Sequence, residues 1–433
     1  MGLKMDVRNG VVNQAGVSKG RTHTCLSKVS WKKKVETLCI FLHCSSILLL
    51  PWLYFFMWTI PCSWPFLIFY TIHEYIFDKS LITGECINKK SGWLCRSSYY
   101  KHMCDYFPIR IHKTVELKPT FKQISVKRYR YPRILRFLPS TLLKWFERTH
   151  LVAKNPEIKV SKQRSGPRYI FGYHPHGIIA FGICGAFMGD GLGTTTIFPG
   201  IECFLLTLAS QFMLPFYRNY LTASGVGLVT KQGIRALLDR DRSVAIVIGG
   251  ASESLLSHPG SNSLILNRRK GFIRLALEMT GTGTYCKAHP TDTDICLVPV
   301  YGFGETDVYN SYDPKNHIEK GLHYNLFISY LSRALHALQE KIKSGFGFTL
   351  PFFWSRGIFN YDFGLLPNRS PINVVVGKPI CVKRLFGNVP GDPVTDQEVD
   401  HYHKIYVRSL LSLFQKNEAK YLQSKHCNIE VVG

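Results

Sequence analysis

The chain has 433 residues, 45% of them hydrophobic and 19% charged, a balance that excludes global disorder and allows a sizeable core. Its formal net charge of +25 calls for an anionic partner: nucleic acid, anionic lipid or a phosphorylated cofactor. Thirteen cysteines include no CxxC pair, and the spacing of Cys86, Cys95 and Cys104 fits no zinc pattern, so neither a metal nor a disulfide framework is expected. Reduced thiols and a cytosol-facing location fit the odd count better than a secreted scaffold.

Residues 1–37 form a basic segment closing near Lys32-Lys33-Lys34, with no secretory signal at its start. From Leu38 to Ile72 there is no Asp, Glu, Lys or Arg, and Pro51, Pro61 and Pro65 interrupt the run. That is long enough for one membrane span or two short legs, and basic sequence flanks it on both sides. The reading favoured for 38–77 is a membrane-embedded helical hairpin with both ends cytosolic, ahead of a single span or a buried core helix. Residues 78–166 read as a connector with a basic insertion. From Arg110 to Gly166 there are 15 Lys or Arg against Glu116, Glu147 and Glu157, a surface for anionic headgroups or simply a solvated insertion.

Residues 167–433 read as one α/β domain, a central sheet flanked by helices. Strand-like runs recur at Arg168–Tyr173, Ser243–Ile248, Ser263–Leu266, Ile295–Val300 and Pro371–Val376. The helix predicted over Gly271–Thr280 places Phe272, Leu275, Ala276 and Met279 on one face. Thr395 and Glu398 predict a capping box opening a long helix, with Val399, Tyr402, Tyr406, Leu410 and Leu413 as its apolar stripe.

Within that domain, Tyr173-His174-Pro175-His176-Gly177 follows a predicted strand directly. Two imidazoles are thereby fixed near each other, with pKa values that suit proton transfer near neutrality. Pro175 restricts His174, and Gly177 lets the backbone turn away. Gly249-Gly250-Ala251-Ser252-Glu253 ends another predicted strand, where open α/β sheets hold ligands. Glu253 there is placed to orient an imidazole or a hydroxyl, although two glycines after a strand are more often only a turn. Arg268, Arg269, Lys270 and Arg274 gather cations at a predicted helix start, which suits a phosphate. Leu297–Glu305 reads as a buried strand ending in a Gly-rich turn. The aromatic run 351–367 is apolar enough to line an apolar substrate channel or dip into lipid, and core packing explains it almost as well. No metal site and no Gly-x-Ser-x-Gly elbow stand out.

Taken together, several segments resemble the type-2 diacylglycerol acyltransferase family, its fungal members in particular. They are Tyr106-Phe107-Pro108, His174-Pro175-His176-Gly177, Phe198-Pro199-Gly200, Gly249 to Ser254, Arg269-Lys270-Gly271-Phe272, Leu297-Val298-Pro299 and Gly377-Lys378-Pro379. The resemblance implies a glycerolipid-acyltransferase-like fold and transfer of an acyl group from acyl-CoA to diacylglycerol, the last step of triacylglycerol synthesis. It also implies an endoplasmic reticulum and lipid-droplet location. Acyl-CoA and diacylglycerol are the expected substrates and membrane lipid the expected surround. No cofactor and no nucleic acid is expected, and self-association is left open.

The wider glycerolipid acyltransferases carry His followed after four residues by Asp. This chain has Ile179 and Phe181 at the corresponding positions. Glu253, the other histidine or a backbone carbonyl must then orient the imidazole. The expectation is that His174 is the general base, that His176 orients it or helps hold the thioester, and that Glu253 supplies the carboxylate. Tyr106, Phe107, Pro108, Gly177, Gly249 and Gly250 are expected at the substrate, and Arg268, Arg269, Lys270 and Arg274 at the phosphates of CoA. The other readings are acylation of monoacylglycerol or a long-chain alcohol, and a non-enzymatic lipid-droplet membrane protein.

Overall fold

The structure is a computed structural model that describes residues 29–128, 157–280, 294–311, 353–357, 364–385, 393–422 and 429–432, with backbone alone at 126–128 and 157–160. Residues 1–28 of the basic segment, 129–156 of the basic insertion, and 351–352 and 358–363 of the aromatic run lie outside the described residues.

Eight strands form the main sheet: β1 (Arg110–Lys113), β2 (Arg168–His174), β3 (Cys203–Thr207), β4 (Val226–Leu228), β5 (Ser243–Val247), β6 (Ile295–Phe303), β7 (Asn373–Val376) and β8 (Ile380–Cys381). Their order is β1-β7-β6-β2-β5-β3-β4, with β8 also paired to β6. The run β6-β2-β5-β3-β4 is parallel, and β7 and β8 meet β6 antiparallel. β1 comes from the segment read as a connector, and it lies parallel to β7 at the sheet edge. The sheet therefore draws on both sides of the boundary expected at residue 166.

A strand period of two sorts β2 between two cores. Tyr169, Phe171 and Tyr173 enter a cluster with Ile40, Tyr106, Phe107 and Phe181. Ile170 enters the other, which contains Leu275, Ala276, Tyr406 and Leu410. Among the helices that frame the sheet and the N-terminal region are α1 (Trp31–Met57), α2 (Trp64–Ile72), α3 (Phe181–Phe187), α4 (Lys231–Asp239), α5 (Gly271–Met279) and α6 (Asp396–Tyr421). α6 opens with the predicted capping box, Thr395 and Glu398 each bonding the other's backbone, a feature worth about 1 kcal/mol. Its predicted stripe is buried from Val399 to Leu413.

α1 is 27 residues long and apolar enough to cross a membrane, by length and composition. After Met57 the chain turns through Pro61–Ser63, and α2 packs on the end of α1: Tyr54 Oη meets Thr71 Oγ1 at 2.7 Å. Many apolar side chains here are exposed, among them Leu48, Trp52, Phe55, Phe66 and Phe69. Arg369 ties the start of α1 to the body, pairing with Glu36 and lying 4.1 Å above the Tyr106 ring.

One cysteine pair corrects the expectation of reduced thiols throughout. Cys296 and Cys381 are directly opposite in the β6–β8 ladder and form a disulfide across 85 residues of sequence. Their pairing is a property of strand register, which spacing along the chain does not reveal.

Candidate active site

Three adjacent parallel strands, β6, β2 and β5, end on one edge of the sheet, the edge where α/β proteins hold ligands. β2 ends at His174, β5 runs into Gly249-Gly250, and β6 runs into Gly304-Glu305. The chemistry-bearing segments found in the sequence are thus brought to one place by parallel pairing.

The two histidines sit differently. His174 is fully buried, joined to Pro175 by a cis peptide bond, and its Nε2 lies 3.1 Å from Tyr406 Oη. That hydroxyl donates to the Gly172 carbonyl at 3.1 Å, so it accepts from His174 Nε2–H and fixes the tautomer. A Cβ at position 172 would collide with the Tyr406 hydroxyl, which accounts for the glycine there. His174 Nδ1 is buried and has no hydrogen-bond partner among the described residues. Burial pushes the His174 pKa down to about 3.

His176 is only half-buried. Its Nδ1 lies 3.0 Å from the Gly177 carbonyl, to which it donates, leaving the Nε2 lone pair free as a base. Burial lowers its pKa from the ordinary histidine value, against the pull of that hydrogen bond. Gly177 turns the chain at φ +62°, and a Cβ there would approach Glu305 Cγ to 2.8 Å.

Glu253 meets this loop through backbone rather than through a ring, which corrects the expected carboxylate–imidazole contact. Its Oε1 accepts from the His176 N–H at 2.6 Å and its Oε2 from the Ile265 N–H at 2.8 Å. Burial raises its pKa to about 7, opposed by those two bonds and by Arg269. The carboxylate curls back over Gly249, where a Cβ would overlap it.

Of the four cations, Arg269 lies nearest the turn: its Nη2 donates to the Gly249 carbonyl at 3.0 Å. Arg268 is exposed. Lys270 pairs with Asp400 at 2.7 Å and Arg274 with Asp396, both near the start of α6. These pairs are solvent-screened and worth little individually, so a phosphate can exchange for the carboxylates. All four cations flank the start of α5, whose N-terminal amides favour anions.

Tyr106 and Phe107 pack into the core beneath α3. Tyr106 and Phe107 are wholly buried, Tyr106 Oη donates to the Pro367 carbonyl at 2.6 Å, and the Phe107 ring packs 4.5 Å from Phe181. They set the position of α3, the helix that follows the histidine loop. Pro108 is exposed. Sequence reasoning missed Tyr406, read only as an apolar stripe residue, and Glu305, read only as the end of a buried strand. Both carry their polar atoms into the interior, a distinction that periodicity does not make.

The parallel-sheet edge thus gathers a half-buried imidazole, a glycine turn and a cluster of cations on an α/β fold. The diacylglycerol acyltransferase family profile matches residues 140–432, and the chain belongs to that family. It is 40% identical to diacylglycerol O-acyltransferase 1 of Saccharomyces cerevisiae, over 92% of this chain and 86% of that protein. It is 32% identical to diacylglycerol O-acyltransferase 2A of Umbelopsis ramanniana, over 94% and 92% respectively. It is 30% identical to 2-acylglycerol O-acyltransferase 1 of Bos taurus over 78% of each chain. No solved structure matches.

Proposed function

We infer that this enzyme transfers a fatty acyl group from acyl-CoA to the free hydroxyl of diacylglycerol, giving triacylglycerol and CoA. Membership of the family and the likeness to diacylglycerol O-acyltransferases over nearly the whole chain carry this reading.

The geometry supports an exchange of the roles expected for the two histidines. His174 has no accessible atom for a substrate to meet, whereas His176 presents a free Nε2. In the reaction we assign, His176 Nε2 takes the acceptor hydroxyl proton as that oxygen attacks the thioester carbonyl. An alcohol needs this help, because it is about as weak an acid as water. The oxyanion that forms is given the backbone N–H groups of Gly177 and Gly250. Collapse breaks the C–S bond, the imidazolium returns its proton to the departing thiolate, and ester and CoA result. The Gly177 carbonyl takes the place of the missing Asp by holding Nδ1–H. His174, pinned by Tyr406, fixes the end of β2 beneath the base. Arg268 and Arg269 are assigned to the CoA phosphates, with Lys270 and Arg274 beside them.

For the N-terminal region, the packing of α2 on the end of α1 and their exposed apolar faces support a membrane-embedded hairpin. The division at 37, 77 and 166 and a glycerolipid-acyltransferase-like fold belong to the same proposal, with the qualification that β1 joins the main sheet. So do a home in the endoplasmic reticulum and on lipid droplets, and contact with membrane lipid.

The test is an assay of membranes carrying the protein, supplied with labelled acyl-CoA and equal amounts of diacylglycerol, monoacylglycerol and a long-chain alcohol. Label is expected chiefly in triacylglycerol. Label chiefly in diacylglycerol or wax ester would replace the acceptor, and no acyl transfer above membranes lacking the protein would defeat the reading.

A further inference from the structure

We propose that Glu305, held by Tyr173, is a positioning residue for the loop that carries His176. The proposal rests on His176 being the base.

α3 begins immediately after that loop, and its N-cap residue Ala180 offers no capping side chain. The first amides of a helix lack partners within it. Here Phe181 and Gly182 are buried, so water is not there to serve them. Glu305, from the turn after β6, does so instead: Oε1 accepts from Phe181 N–H at 2.7 Å and Oε2 from Gly182 N–H at 2.7 Å. The Tyr173 hydroxyl donates to the same Oε2 at 2.5 Å. Glu305 is 2% exposed, and burial raises its pKa to about 7, with those three donors pulling the other way.

The surrounding backbone is emptied to make room. A Cβ at Gly182 would collide with the Tyr173 hydroxyl, and one at Gly302 would overlap it. A Cβ at Gly177 would press on Glu305 Cγ. Three glycines from three segments thus converge on one Tyr–Glu pair. With Glu253 bonded to the His176 N–H, the segment 176–182 is held at both ends by buried carboxylates that follow β5 and β6. A base displaced by about 1 Å can cost two orders of magnitude in rate, so the hold bears on catalysis directly.

The test compares Glu305→Gln and Tyr173→Phe with the wild type in membranes, measuring kcat and KM for acyl-CoA alongside the amount and melting temperature of folded protein. Glu305→Gln is expected to lower kcat about tenfold or more with KM within about twofold, because the carboxamide turns a donor toward one of the two amides. Tyr173→Phe is expected to act in the same direction and less. A folded Glu305→Gln enzyme with wild-type kcat would overturn the proposal. So would activity losses in both variants that vanish once normalised to folded protein. The two readings fail separately: an active His176→Ala enzyme removes the base, whereas an inactive one beside a normal Glu305→Gln removes only the positioning role.

Discussion

Replacing His176 by alanine is expected to lower kcat by about two to four orders of magnitude, with KM for acyl-CoA little changed. The magnitude is that of losing a general base. The small KM effect follows because the side chain removed holds no phosphate. His176 is half-buried and, among the described residues, its ring bonds to the Gly177 carbonyl alone, so the fold should survive the change. The pH dependence has a definite sign. A base works deprotonated, and burial lowers the His176 pKa from 6.5, so the wild-type rate should hold above neutrality and fall on acidification below it. Initial rates of triacylglycerol formation across pH check both points. A rate that climbs steeply in the alkaline range would indicate a group other than histidine.

The second large effect is expected at Gly249. An alanine there places its Cβ inside the Glu253 carboxylate, which must then leave. The His176 and Ile265 amides lose their acceptor, and a buried amide left unsatisfied costs about 1–3 kcal/mol. Gly249→Ala is therefore expected to lose most activity and to melt several degrees lower. Glu253→Gln, which keeps the shape and one acceptor oxygen, should fall between it and the wild type. Melting curves and activities of the two purified variants check this ordering. Wild-type behaviour of Gly249→Ala would show that Glu253 does not hold the loop.

Much of the frame was legible in the sequence because it rests on local pattern. The capping box at Thr395 and Glu398, the helix from Gly271 and the strands at Arg168, Ser243 and Ile295 all formed near their predicted bounds. Strands β1, β3, β4 and β8 were not anticipated. β4 and β8 have three and two residues, and β1 owes its strand state to pairing with β7, which comes from the far end of the chain. Register likewise decided the Cys296–Cys381 bond. The histidine motif and the Gly249–Glu253 turn were singled out in the sequence and lie at one edge of the sheet, but the contacts of each residue within them are tertiary. Which histidine is accessible depends on Tyr406, which is 232 residues from His174 and reaches it from α6. The reach of Glu253 to a backbone amide, instead of to a ring, has no signature in residue type.

Addition of free imidazole separates the two histidines most directly. Added to membranes carrying His176→Ala, supplied with labelled acyl-CoA and diacylglycerol, imidazole should enter the half-buried site and restore triacylglycerol synthesis in proportion to its neutral form. His174→Ala, altered at a fully buried position, should not respond. Rescue of His174→Ala with no rescue of His176→Ala would contradict the account and return the base to His174.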